Sequence, residues 1–298
     1  MRIRVPVRLY LIGAAALVAA LVASACSREE PSVAPLATPT LTLNHDRAPA
    51  GSPIELTYKF VVANGASFGE DYRVFVHVVD TDEETLWFDD HFPSVPTSQW
   101  KPGETIEYTR TVFVPVVPYV GEATIQVGLH SMNDQVRVPL DGDEASQQAY
   151  RVGRLQLLPQ TDNLFTVFKD GWHPAELASQ DPPLEWQWTK KEATLAFRNP
   201  KKDSVLHLDL DSPQKALHSE QQVQITMGGQ IVEEFTLVPE ERMLKKVKLP
   251  AAQMGEAEMA ELQIVVDKTF VPSVATGGAS RDPRELGVRV FHAFVDPR

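Results

Sequence analysis

From Thr40 to Leu158, apolar residues recur at every second position, and turn formers interrupt them roughly every ten residues, which predicts short strands rather than helices. In PIELTYKFVV, the residues Ile54, Leu56, Tyr58, Phe60 and Val62 share one face while Glu55, Thr57 and Lys59 share the other. Such a segment suits an antiparallel strand with one side in a core and one in water. EATIQVGLH repeats the pattern with Ala123, Ile125, Val127 and Leu129, whereas YRVFVHVVD, Tyr72 to Asp80, is apolar on both faces and predicts a central strand. DTDEET and WKPGE supply the breaks, Pro102 and Gly103 setting a turn in the second. Roughly seven or eight short strands with no convincing helix point to a β-sandwich of immunoglobulin-like type.

The remainder, from about Thr161 to Arg298, keeps the strand pattern. QVQITMGGQIVEEFTL reads as a hairpin, in which Val223, Ile225 and Met227 lead into Gly228 and Gly229, a pair able to take the positive φ of a tight turn. SVLHLDLD, ELQIVVD and ELGVRVFHAFV are further strands, and a boundary falls near Pro159 to Asp162. The expected architecture is all-β: two antiparallel β-sandwich domains in tandem, over 40–160 and 161–298.

The first residues follow a different pattern. Arg2, Arg4 and Arg8 precede an uncharged, largely apolar run from Leu9 to Ala25, the layout of a secretory signal. Val22, Ala23, Ser24 and Ala25 then lead into Cys26, the single cysteine. This resembles a bacterial lipoprotein signal, although Ala23 stands where that family more often has Leu. The resemblance implies a signal peptide over 1–25, cleavage before Cys26 and acylation of Cys26; a plain signal peptide or an uncleaved anchor is the alternative. It also implies an extracytoplasmic, lipid-anchored protein. Ser27 in place of Asp favours the outer membrane in a Gram-negative cell. Residues 26–39, rich in Pro, Ser, Ala and Glu, read as a flexible tether.

Charge and thiol content narrow the partners. The formal charge of −12 counts three arginines of the signal, so the mature chain sits near −15, which argues against nucleic acid as a partner. With Cys26 acylated no thiol remains for a disulfide, and stability must come from burial.

Candidate chemistry is sparse. In LWFDDHFP, strand geometry places Leu86, Phe88 and Asp90 on one face and Trp87, Asp89 and His91 on the other. Asp89 and His91, looking outward, could act together on a metal, but zinc needs further ligands, and the spacing of His77 and His130 does not force a meeting. Arg110 sits in phase with Ile106, Tyr108, Val112 and Val114, so a buried Asp90–Arg110 pair is expected. No G-x-S-x-G, H-E-x-x-H, P-loop or dinucleotide fingerprint occurs, and no cofactor is expected.

In order, GWHPAE, WQWTKKEATLAF, QVQITMGGQIV, FVPS and RDPRELGVRVF resemble galactose-binding-like jelly rolls appended to bacterial surface-polysaccharide and glycosyltransferase-associated proteins. FVHVVD, DDHFP, SQWKPGE and VGLH resemble sandwich modules of such proteins. The resemblance implies a non-catalytic accessory or binding module, and it allows a structural calcium that no D-x-D-x-D-G loop supports. Indoles stack on the C–H faces of sugars, so Trp172, Trp186 and Trp188, with His173, Glu176 and Glu185 nearby, are the candidate ligand residues; capping of the core is their alternative role, as for Trp87 and Trp100. Arg281, Asp282, Arg284 and Glu285 either latch the loop before the last strand or bind an acidic sugar. The expected function is glycan binding or organisation at the cell surface. The rivals are an assembly lipoprotein that contacts another envelope protein and, more remotely, a hydrolase.

Overall fold

The computed structural model describes residues 34–179, 184–212, 219–239 and 241–298. The signal segment, Cys26 and the start of the tether lie outside the described residues. Ten strands come first: β1 (Ala37–Leu43), β2 (Arg47–Pro49), β3 (Pro53–Val62), β4 (Arg73–Val79), β5 (Thr85–Phe88), β6 (Thr105–Phe113), β7 (Gly121–His130), β8 (Arg137–Val138), β9 (Glu144–Ser146) and β10 (Ala149–Leu158). β1 starts inside the stretch expected to be tether: Ala37 is buried and pairs with Val62, so main-chain pairing overrides the Pro-rich composition there.

One sheet runs β1–β3–β6 and the other β2–β10–β7–β4–β5, with β8 beside β7 and β9 beside β10. The alternation in β3 sends Ile54, Leu56, Tyr58, Phe60 and Val62 inward, against Val74, Val76 and Val78 of β4 and Ile125, Val127 and Leu129 of β7. Each such side chain contributes roughly 1.5–3 kcal/mol by leaving water. Trp100 belongs to this core, edge-on to Phe68 and tilted against Phe60, with its indole N–H on the Val95 carbonyl. β4 lies between β7 and β5, and Phe75 on its other face is covered by the Arg137 guanidinium.

Ten more strands follow: β11 (Thr166–Phe168), β12 (Glu176–Ala178), β13 (Leu184–Trp188), β14 (Glu192–Arg198), β15 (Ser204–Asp211), β16 (Gln221–Met227), β17 (Gln230–Leu237), β18 (Met243–Leu249), β19 (Met259–Val266) and β20 (Arg289–Pro297). They form two five-stranded antiparallel sheets, β11–β14–β19–β16–β17 and β12–β13–β20–β15–β18. β16 and β17 are the expected hairpin, and Gly228 and Gly229 both take positive φ, 58° and 77°. Leu195, Phe197, Val223 and Ile225 from one sheet meet Leu206, Leu208, Leu210 and Val290 from the other in a second core that shares no residue with the first.

The chain passes between the cores through a turn at Gln160–Asp162, where Asn163 Nδ2 donates to the Ala50 carbonyl at 2.7 Å. The two sandwiches also touch side by side. Phe113 of β6 stacks on His292 of β20, centroids 4.0 Å apart and planes 7° from parallel, and Lys246 of β18 pairs with Glu55 of β3.

A polar knot occupies the first sandwich. Val78 faces Trp87 but Val79 faces Thr85, so Leu86 is an extra residue in β5 and both Leu86 and Trp87 pack on the core. Such a bulge inverts the facing of every residue after it. Asp89 and His91 therefore point inward, not outward, and the expected Asp90–Arg110 pair does not form. Arg110 holds Asp89 instead, through Nε at 3.1 Å and Nη2 at 2.8 Å. Asp90 Oδ1 accepts the Val76 N–H, while the Asp89 carbonyl takes the His91 Nδ1–H at 2.8 Å and Tyr108 donates to His91 Nε2 at 2.9 Å. The weak metal candidates Asp89 and His91 thus have protein partners, and among the described residues no three His, Cys, Asp or Glu are grouped to hold a metal.

Burial pushes the His91 imidazole below its ordinary 6.5, against the pull of the Asp89 carbonyl. Between 6.5 and that lowered value the unfolded chain binds a proton that the folded one does not. Stability is therefore complete above pH 6.5 and falls as pH drops below it. A His91→Gln variant is expected to lose less of its urea midpoint than the parent when pH is lowered through 6.5, with a residual slope from His77 and His130, which burial shifts the same way.

Candidate functional site

The outer face of the sheet β12–β13–β20–β15–β18 gathers the polar and aromatic side chains that the second core excludes. In β15 the alternation of SVLHLDLD buries Leu206, Leu208 and Leu210 in the core and turns His207, Asp209 and Asp211 to the other side. In β20, Asp209 pairs with His292 and Leu210 with Val290, which leaves Phe291 as an extra residue. This second bulge brings Phe291 and His292 to the same face, where strict alternation would separate them.

Charge pairs fix the face. Arg289 forks onto Asp211, its Nε 2.8 Å from Oδ1 and its Nη2 on Oδ2. Arg242, just before β18, forks onto Asp209 at 2.8 and 2.5 Å, and His292 Nδ1 lies 3.0 Å from the same carboxylate. Burial pushes the Asp209 carboxyl up, but Arg242 and His292 outweigh it and leave the group below its ordinary value. Both aspartates are only 7% exposed, so the guanidinium groups form the solvent edge of each pair.

Aromatic rings lie between these pairs. Trp188 pairs with Arg289 across the ladder, and Trp186 projects on the same face two residues earlier; the Arg289 guanidinium carbon is 5.7 and 5.6 Å from their ring centroids. Arg242 sits 3.9 Å over the Phe291 ring. Trp188 is 9% exposed and packs edge-on to Phe270, so Trp186 and Phe291, both half-buried, are the accessible rings. Glu176 of β12 is paired with Trp186 and bound by Arg284 at 2.7 Å.

The tertiary structure thus brings Glu176, Trp186 and Trp188 together and sets Trp172 apart. Trp172 donates its indole N–H to the Thr194 carbonyl, lies edge-on to Phe168 and packs on the core, its backbone bridging Thr189 so that its ring faces away from Trp188. Arg284 also forks onto Asp282, whose carboxyl is pulled down to about 2 by that guanidinium, and the His173 ring meets the Glu285 carbonyl at 2.7 Å. These contacts latch GWHPAE to RDPRELG, the structural role of the two open for that loop. Glu185 is exposed, and Arg281, also exposed, has no side-chain partner among the described residues.

Six residues of the face, Asp209, Asp211, Arg242, Arg289, Phe291 and His292, went unrecognised in the sequence. The signal in β15 was the charge on its second face, but nothing local marks the bulge at Phe291. Elsewhere, a cleft of about 430 Å³ at one end of the first sandwich holds Glu70 and Asp71, already bonded to Asn133 and to the Ser98 N–H, beside the exposed Phe92 and Met132.

No protein-family model matches the chain, and no curated protein matches it. Among solved structures, it is similar to the alkylpurine DNA glycosylase AlkC of Pseudomonas fluorescens, bound to DNA with an abasic-site analogue, at 10% identity and TM-score 0.28 over 41% of this chain and 30% of that one. CBM51-2 in complex with GlcNAc, with INT domains, from Clostridium perfringens ZmpB matches at 9% identity and TM-score 0.25, over 87% of this chain and 41% of that one. Salmonella α2-macroglobulin reacted with methylamine matches at 13% and 0.25, over 90% and 15%. The chain spans less than half the length of each. TM-scores this low establish neither a shared overall fold nor a shared activity, so the functional reading rests on the residues of this chain.

Proposed function

We propose that this is a lipid-anchored, extracytoplasmic binding protein without catalytic activity, built as an immunoglobulin-like sandwich followed by a jelly-roll sandwich, which holds surface glycan on the outer face of the second. The observation that carries the reading is the set of Trp186 and Phe291 rings flanked by the Arg289–Asp211 and Arg242–Asp209 pairs. Sugar C–H faces stack on such rings, and vicinal hydroxyls match fixed forks of donors and acceptors. Anchoring through Cys26 would hold that face at a membrane surface, where polysaccharide is displayed.

Affinity electrophoresis of the full-length protein in detergent, through gels containing galactomannan, dextran, alginate or polygalacturonate, tests the reading. Retardation by at least one polymer is expected, and a Trp186→Ala variant with unchanged far-UV spectrum should lose on the order of tenfold in affinity, the effect of removing one stacking ring at a hot spot. If Trp186→Ala binds like the parent, the face is not the site. If no polymer retards the parent, the reading fails, and the cleft beside Phe92 and Met132 makes protein assembly the better one.

A further inference from the structure

We infer that the face around Trp186 takes a neutral sugar and discriminates against uronates and other anionic glycans; this rests on the glycan-binding reading above and names the ligand class of that same site. Three guanidinium groups border the rings, those of Arg242, Arg284 and Arg289. Each already has a carboxylate partner: Asp209 for Arg242, Asp282 and Glu176 for Arg284, Asp211 for Arg289. Three cations therefore meet four anions, and counting His292 as a fourth cation would only balance them, so the face carries no positive excess for an acidic ligand to neutralise. The formal charge of the whole chain, −12, adds repulsion at longer range.

An acidic sugar would either share a guanidinium through the Nη1 that the carboxylate fork leaves unused, setting two anions against one cation, or take it from its partner. For Arg289 or Arg242 the latter would strand an aspartate that is 7% exposed, and a buried carboxylate without its cation is strongly unfavourable. A hydroxyl makes no such demand. It donates to a carboxylate lone pair and accepts an N–H at once, which a ligand carboxylate cannot do. The geometry leaves the needed donors in place: both forks use Nε and Nη2, and among the described residues no hydrogen bond uses Nη1 of Arg242 or Arg289. Beside those N–H groups lie the rings of Trp186 and Phe291, which match the uncharged C–H face of a pyranose.

The same electrophoresis decides the point. Full-length protein in detergent should be retarded by galactomannan or dextran, and on the order of tenfold less by alginate and polygalacturonate, as expected when a like charge faces a like charge across an interface. An Asp211→Asn variant keeps a hydrogen-bonding partner for Arg289 but removes the matched charge, so its ratio of alginate to galactomannan affinity should rise, whatever its neutral binding loses. Tighter binding of the uronates by the parent would overturn the neutral assignment and leave glycan binding standing. An unchanged ratio of alginate to neutral affinity in folded Asp211→Asn would overturn the charge-matching argument, and failure of every polymer would overturn both. If Asp211→Asn does not fold, the panel on the parent decides alone.

Discussion

A Gly171→Ala variant is expected to lose about 3 kcal/mol or more of stability, enough to unfold a marginal sandwich, read as a lowered urea midpoint. Two causes combine. Gly171 has φ +84°, a region that penalises any side chain by about 1–2 kcal/mol. A Cβ built there would also stand 1.8 Å from the Glu192 carbonyl oxygen and 2.7 Å from Ala193 Cα, and these are backbone atoms that cannot swing away. The surrounding chain is tied on both sides: Lys190 donates to the Gly171 carbonyl at 2.7 Å, and Thr194 donates to that of Asp170 at 2.8 Å. Relief would break the pairing that carries Trp172 and, through His173, the latch to RDPRELG. Gly229→Ala is the control, with φ +77° and nothing within 4 Å of its Cβ, and it should lose only about 1 kcal/mol. Equal losses at the two positions would remove close approach as the cause.

Asp89→Ala should destabilise the first sandwich by about 2–3 kcal/mol, since it strands the Arg110 guanidinium against the core; the partial exposure of Arg110 keeps the loss below that of a fully buried pair. Tyr58, whose hydroxyl burial drives well above its usual value, offers that cation no compensating charge. Adding Arg110→Met should restore part of the loss, because an apolar side chain of similar length no longer needs a counterion. Asp90→Ala removes a single hydrogen bond to the Val76 N–H and should cost only about 1 kcal/mol. A larger loss at Asp90 than at Asp89, by chemical denaturation, would contradict the inward facing of Asp89.

Much of the second sandwich's face was half legible. Trp186 and Trp188 share a face by period alone, and β13 places Glu176 beside the first of them as a neighbour across the ladder. Trp172 looked equivalent by proximity in sequence. Yet its backbone bridges Thr189, one residue past Trp188, so its side chain takes the opposite facing and packs on the core: nearness in space came without a shared face.

By itself the sequence determined the strands, the inward face of β3, the Gly228–Gly229 turn and the leucine side of β15, because side-chain alternation and positive φ are properties of the local chain. Only the tertiary structure decided the facing of Asp89 and His91, the meeting of Phe291 and His292, and the partners Arg242 and Arg289. A bulge is a mismatch in register between two strands, as at Leu86 and Phe291, and one strand read alone does not contain it. The ion pairs depend likewise on which strands lie side by side: 33 residues separate Asp209 from Arg242 and 78 separate Asp211 from Arg289, and the order β13–β20–β15–β18 closes both gaps.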